Sequence, residues 1–172
     1  GTVTKSVGTA NFLVQVVSNK LPFAILPVIV FTISAIISFA TGTAWGTMAI
    51  VTPLAIPLAF GFVEVGGDPH MVIVTISAVL SGAIFGDHCS PISDTTIMSS
   101  MASGSDHLDH VKTQLPYALT AAVIGGICYL IAGFMGAHPA IVLLIGAAMV
   151  YGVLKFYGKS VKMEDLKKET AK

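Results

Sequence analysis

Gly86-Asp87-His88-Cys89-Ser90-Pro91-Ile92-Ser93-Asp94-Thr95-Thr96 is the stretch on which the fold of this chain turns. It holds the two charged side chains that lie inside apolar sequence, Asp87 and Asp94; the other charges sit near the termini or in short links between apolar runs. An ionised carboxylate at bilayer depth costs about 2.5–3.5 kcal/mol on the insertion scale. Two of them, set among hydroxyls and helix breakers, point to a use, and the use that suits this company is binding a cation.

The composition agrees with a membrane setting. Of 172 residues, 54% are hydrophobic and only 10% charged, which is membrane rather than soluble-domain composition. Net charge is zero and arginine is absent, so nothing favours a nucleic-acid partner. Cys89 and Cys128 are far apart in apolar sequence and form no CxxC; free buried thiols are expected rather than a disulfide.

Apolar sequence approaches the aspartate stretch from Met71 to Phe85, a run too short for a span unless the chain continues through the polar residues to about Ala102. A discontinuous helix over 71–102 is therefore expected. Upstream, Leu21 to Val63 carries no charge. At about 20 residues per crossing, it holds segments near 21–40 and 48–63, either as two spans or as one re-entrant hairpin. Glu64 to His70 is a polar link. Downstream, Ser103 to Lys112 reads as a polar loop, Leu115 to Met135 as a span, residues 136–139 as a turn, and Ala140 to Tyr157 as a last span. Residues 1–20 read as a mixed surface segment. Lysines crowd the C-terminal end from Lys155 through Lys172, which marks residues 158–172 as a cytoplasmic tail. The fold class expected is an all-α integral membrane protein with four to five hydrophobic segments. Carriers of this kind are commonly built from two repeated halves. No internal repeat is visible and the chain opens on Gly1, so residues 1–157 read as one half, the C-terminal one, of a longer transporter.

The chemistry of the interruption can be read residue by residue. Gly86 is a natural stop for a first half-helix. Ser90 and Pro91 form a natural start for a second, since serine caps and proline fits the first helical position. Residues 87–89 would then be extended. The first half would turn free carbonyls to the gap, and the second its amide donors, which favour a carboxylate such as Asp94 in the first turn. Asp87, Asp94, Ser90, Ser93, Thr95 and Thr96 offer only oxygen, which suits sodium or a proton better than a soft metal. His88 is an accessory neighbour. The plainer reading is a proline-kinked helix whose aspartates pair with groups elsewhere.

Thr41-Gly42-Thr43-Ala44-Trp45-Gly46-Thr47 is a second polar interruption. Thr41 and Thr43 could add oxygen ligands at a hairpin tip, with Thr47 and Trp45 as accessories. Alternatively Gly42 and Gly46 form a packing GxxxG beside an interfacial tryptophan. Asp106-His107-Leu108-Asp109-His110 looks metal-like but lies in the expected cytoplasmic loop, where a solvated role is favoured over pH sensing.

The aspartate stretch, followed by Asp106-His107-Leu108-Asp109-His110-Val111-Lys112-Thr113-Gln114-Leu115-Pro116-Tyr117, resembles the C-terminal half of the NhaC-type sodium/proton antiporters, and Thr41 to Thr47 is similar to that family's glycine-threonine-tryptophan segment. The resemblance runs from about Ile33 to Met135. It implies a secondary carrier of the ion-transporter superfamily, with inverted repeats and broken helices, exchanging Na+ for H+ at the cell membrane without a cofactor. Some relatives carry organic acids such as malate and lactate with these ions, so that substrate class is the alternative. The implied partners are sodium ions, protons, the bilayer, and a missing N-terminal half, another chain or a second copy. The hypothesis is that sodium and protons compete at Asp87 and Asp94 as a coupled pair.

Two rivals come from other classes. An intramembrane aspartyl protease also needs two aspartates, but it takes them from separate helices and expects Gly-x-Gly-Asp, where residues 84–87 read Ile-Phe-Gly-Asp. A non-transporting half-carrier subunit is the second. Zinc protease chemistry lacks its His-Glu-x-x-His, and no enzyme activity is expected.

Overall fold

A computed structural model describes residues 22–64, 66–136 and 138–158. The segment expected over 1–20 and the lysine-rich tail from 159 onward lie outside the described residues. A short 3-10 turn, Phe23–Ile25, leads into α1, Leu26–Thr41. Pro27 falls in the first turn of α1, where a missing N–H costs nothing, and Gly42 ends the helix in the left-handed conformation at φ 68°. After two residues α2, Ala44–Glu64, runs on with Pro53 and Pro57 inside it. The α3 helix spans His70–Cys89, and Asp68 accepts a hydrogen bond from the His70 amide at its start (2.9 Å). The short α4, Asp94–Ser103, closes at Gly104 with φ 63°. Asp106 caps α5, His107–Met135, by accepting from the amides of Leu108 and Asp109. The last helix, α6, Pro139–Tyr157, is capped by His138. Among the described residues five helices are long and apolar enough to cross a membrane, Phe23–Thr41 and α2, α3, α5 and α6.

The tightest pairing is between α1 and α3. Phe31 meets Gly82, Ala35 meets Gly86, and Phe39 meets Ser90, each pair 51 residues apart. A constant spacing means that the two helices run parallel, so α2 must return between them. The glycines make the contact possible: a Cβ on Gly82 would run into the Phe31 carbonyl, and one on Gly86 into the Ala35 carbonyl. Val30, Val51, Ala55, Ala59, Phe62, Val72 and Val79 fill the core between these three helices. One end of the layer gathers Phe23, Phe62 and Gly67, with the two rings 5.2 Å apart. The other end brings the α1–α2 turn against the residues after α3, since Gly42 lies on the Ile92 backbone. The α5 helix crosses both α1 and α3, placing Gly133 on the Ala24 carbonyl and Tyr129 against Phe31 and Ser81. By contrast, α6 touches mainly α5 and has no buried residue.

Three expectations change. First, Gly86 does not stop a helix. The α3 helix passes through Asp87 and His88 to Cys89, and the break is Ser90 to Ser93, with Ser93 rather than Ser90 at the head of α4. The glycine is there for close approach to α1. With 20 residues α3 is long enough to cross on its own, so the break lies at the level of the α1–α2 turn rather than midway along the interrupted helix. Second, 103–112 is not an open loop, because α5 already begins at His107. At 29 residues α5 is about 44 Å long at 1.5 Å per residue, and its first two turns lie beside the break, with His107 on the Pro91 carbonyl and Gln114 on the His88 carbonyl. Third, Gly42 and Gly46 do not share a helix face: one ends α1 and the other lies in α2 against the Thr43 side chain.

Candidate functional site

The carboxylate of Asp87, in the last turn of α3, faces the first turn of α4. Ser93 Oγ donates to its Oδ1 (2.9 Å) and Thr95 Oγ1 donates to its Oδ2 (3.1 Å). The two hydroxyls are themselves 2.8 Å apart. Ser93 is fully buried, and although it occupies the N-cap position its side chain makes no cap bond, being turned to Asp87 instead. The first backbone bond of α4 runs from Ile97 N to Ser93 O (3.0 Å). The amides ahead of it lie at the open, positive end of the helix, beside the carboxylate.

A hydrogen count shows what this triangle can hold. Three oxygen groups make three mutual contacts, and two hydroxyls supply two protons. With Asp87 ionised, one oxygen pair meets without a hydrogen between. A proton on the carboxyl closes the ring, Asp87 to Thr95, Thr95 to Ser93 and Ser93 back to Asp87. A small cation among the same oxygens removes the deficit in another way.

Around this centre the break is held by side chains. Ser90, fully buried, donates to the Phe39 carbonyl of α1 (2.8 Å). The His88 carbonyl does not face the gap unpaired, as the free carbonyls expected there would. It accepts from Thr96 Oγ1 (3.2 Å) and from Gln114 Nε2 of α5 (2.8 Å). The Asp87 carbonyl likewise accepts from the Ser90 amide (3.1 Å). Ser93 and Thr95 thus meet Asp87, while Ser90 and Thr96 fix the backbone. Asp94 is exposed in the first turn of α4, and no hydrogen bond joins it to the Asp87 set among the described residues.

The Thr41 to Thr47 turn packs on the break through Gly42, but its hydroxyls stay local. Thr41 donates to Ile37 O (2.8 Å) and Thr47 to Thr43 O (2.9 Å), while Thr43 Oγ1 accepts from the Gly46 amide (3.3 Å). Trp45 is 83% exposed. Cys89 and Cys128 are free thiols. Among the described residues no group of three His, Cys, Asp or Glu is placed to hold a metal ion.

Two groups that sequence reasoning set aside or missed belong to the same neighbourhood. His107 and His110 both place Nδ1 on the buried Ser100 hydroxyl (3.1 and 2.8 Å), and His107 Nε2 reaches the Pro91 carbonyl in the break (2.7 Å). The solvated-loop expectation for these histidines is therefore overturned, since they clasp α4 and the break to α5. Their spacing of three residues after an Asp cap was the available signal, because it puts both on one helix face. Gln114, whose amide holds the His88 carbonyl, carried no sequence signal.

The model of the Na+/H+ antiporter family matches residues 1–134, a stretch that holds both polar interruptions and ends one residue short of the end of α5. The chain belongs to the Na+/H+ antiporter family. A family match together with five apolar helices of spanning length makes it a multi-pass membrane protein. Among curated relatives of this antiporter-family chain, an uncharacterized protein of Haemophilus influenzae is 45% identical over 136 residues, 77% of this chain and 25% of the relative. The malate-2H(+)/Na(+)-lactate antiporter of Bacillus subtilis is 40% identical over 103 residues, 60% of this chain and 21% of the relative. The arginine/ornithine antiporter ArcD of Halobacterium salinarum is 32% identical over 128 residues, 74% of this chain and 25% of the relative. The matched stretches thus span about a quarter of the relatives' length. No solved structure matches.

Proposed function

We propose that this chain carries the ion- and proton-exchanging carboxylate of a secondary Na+/H+ antiporter, with Asp87 as that carboxylate. The hydroxyl triangle supports the reading. Its two hydroxyl protons are one short of its three contacts, so the set is completed by a proton on Asp87 or by a cation in its place. Hydroxyl and carboxylate oxygens are hard donors suited to Na+. One site that takes either ion, but not both, is what exchange requires. Asp94, at the head of α4, is the second carboxylate, which the remainder of the carrier would face. The Lys155 end lies on the cytoplasmic side. The rest of the cavity comes from other parts of the natural full-length protein, from a partner chain or from a second copy.

The test is sodium-driven proton flux in vesicles holding the full-length protein. Loss of flux in Asp87→Asn is expected; full activity in Asp87→Asn overturns the reading, whatever Asp94→Asn does. A second reading, exchange of small organic acids coupled to Na+ and H+, is favoured by the malate and lactate named for the Bacillus subtilis relative. Sodium-dependent uptake of labelled malate or lactate into the same vesicles decides it, and lack of either uptake removes it.

A further inference from the structure

A cleft of about 130 Å³ opens beside the Asp87 triangle, lined by the polar residues His88, Thr95, Thr96, Ser99, His110 and Gln114. At roughly 30 Å³ per molecule it has room for about four waters. Thr95 belongs to both places: it lines the cleft and donates to Asp87 Oδ2. Gln114 turns its amide nitrogen to the His88 carbonyl, which leaves its Oε1 buried without a donor among the described residues. Such an acceptor calls for water or a cation in the cleft. One turn earlier on the same helix, and so on the same wall, His110 is anchored at one ring nitrogen only. Its Nδ1 meets the Ser100 hydroxyl, and its Nε2 has no hydrogen-bond partner among the described residues.

We propose that His110 is the proton-transfer residue for Asp87, working through this cleft. The inference rests on the antiport reading of Asp87. As sodium leaves, imidazolium Nε2–H passes its proton to a cleft water, the water passes one to Thr95 Oγ1, and the Thr95 hydroxyl proton goes to Asp87 Oδ2. The imidazolium becomes neutral imidazole and the carboxylate becomes a carboxylic acid, with no net gain of charge. Arrival of sodium reverses the sequence and returns His110 to imidazolium, which then gives the proton to bulk water and becomes neutral imidazole again. Histidine suits the task because its ordinary titration lies in the physiological range.

Besides Asp87, the titratable side chains at this end of the packed elements are His88 and Cys89 on α3, Asp94 on α4, the cap residue Asp106, and His107, Asp109, Lys112 and Tyr117 on α5, with Lys112 paired to Asp109 at 3.7 Å. His88 also lines the cleft, but it is exposed and its ring is not anchored by any hydrogen bond among the described residues. His107 supplies the internal control. It shares Ser100 with His110 and holds the break as well, yet it does not line the cleft.

The experiment measures initial rates of sodium-driven proton flux for the full-length protein in vesicles. Loss of a positioned acid–base group lowers rates by about a hundredfold, so His110→Ala is expected to slow flux to that extent without weakening sodium dependence. Added imidazole should restore the rate, and substituted imidazoles should do so in order of their acidity. His110→Gln, which keeps a polar group toward Ser100, should lose as much. His107→Ala should lose activity that imidazole does not restore. Exchange in the wild type with undiminished flux in His110→Ala overturns the relay alone, as does imidazole rescue of His107→Ala or His88→Ala in place of His110→Ala. No exchange in the wild type overturns the antiport reading, and the relay with it.

Discussion

Two polar interruptions meet at the same end of the α1–α3 layer, and they use their hydroxyls in opposite ways. In the Thr41 to Thr47 turn every threonine bonds within its own few residues. In the Ser90 to Thr96 break the hydroxyls reach out, to Asp87, to the Phe39 carbonyl and to the His88 carbonyl. The difference follows from how each helix ends. Gly42 closes α1 in the left-handed conformation and its amide bonds back to Ser38 O, while the Thr43 hydroxyl and carbonyl take the Gly46 and Thr47 amides at the start of α2, so the threonines of that turn serve its own backbone. The α3–α4 break is four residues long and extended at both ends. The His88 and Pro91 carbonyls and the Asp87 carboxylate are left for side chains to satisfy. A run of threonines is therefore no measure of an ion site; what counts is whether the backbone has already taken up their hydrogen bonds.

Substitutions on the two sides should separate them. The largest effect is expected from Asp87→Asn, which keeps the shape but removes the charge: flux assays should show no sodium-driven exchange, with the protein still folded. Gly86→Val comes next. Its side chain would drive into the Ala35 carbonyl and the Phe39 amide, and overpacking costs about 1–3 kcal/mol or more. Reduced yield of folded protein and a lower unfolding temperature in detergent are the measurable signs. Ser93→Ala removes one hydrogen bond to a charged group, about 1.5–3 kcal/mol. Apparent sodium affinity should weaken about tenfold or more by that energy, with folding intact because Ser93 makes no cap bond. Thr41→Val should sit at the bottom of the scale. Exposed sites away from such features change stability by about 0.5 kcal/mol at most, so sodium affinity should move by about twofold or less. An effect of Thr41→Val as large as that of Ser93→Ala would erase the contrast.

The apolar helices, the discontinuity and the membership of Asp87, Ser93 and Thr95 in one oxygen set were legible in the sequence, because hydropathy and side-chain chemistry act locally. The position of the break was not. Gly86 looks like a helix stop when only its own conformational freedom is weighed, but its smallness serves the parallel partner α1, 51 residues away in sequence. The histidine clasp was hidden for the same reason. Asp106 to His110 is polar enough to pass for a loop, and only Ser100 and the Pro91 carbonyl give those imidazoles partners. The α6 helix poses the reverse case: plain in the sequence, it lies outside the family match and has no fully buried residue.

The central claim is that one carboxyl group, Asp87, takes either a proton or a sodium ion. Infrared difference spectra of the full-length protein, recorded as sodium is added at fixed pH, address it directly. The account predicts loss of a protonated-carboxyl band and gain of a carboxylate band, both missing in Asp87→Asn and retained in Thr41→Val. A sodium-induced carboxyl signal that survives Asp87→Asn unchanged would contradict it.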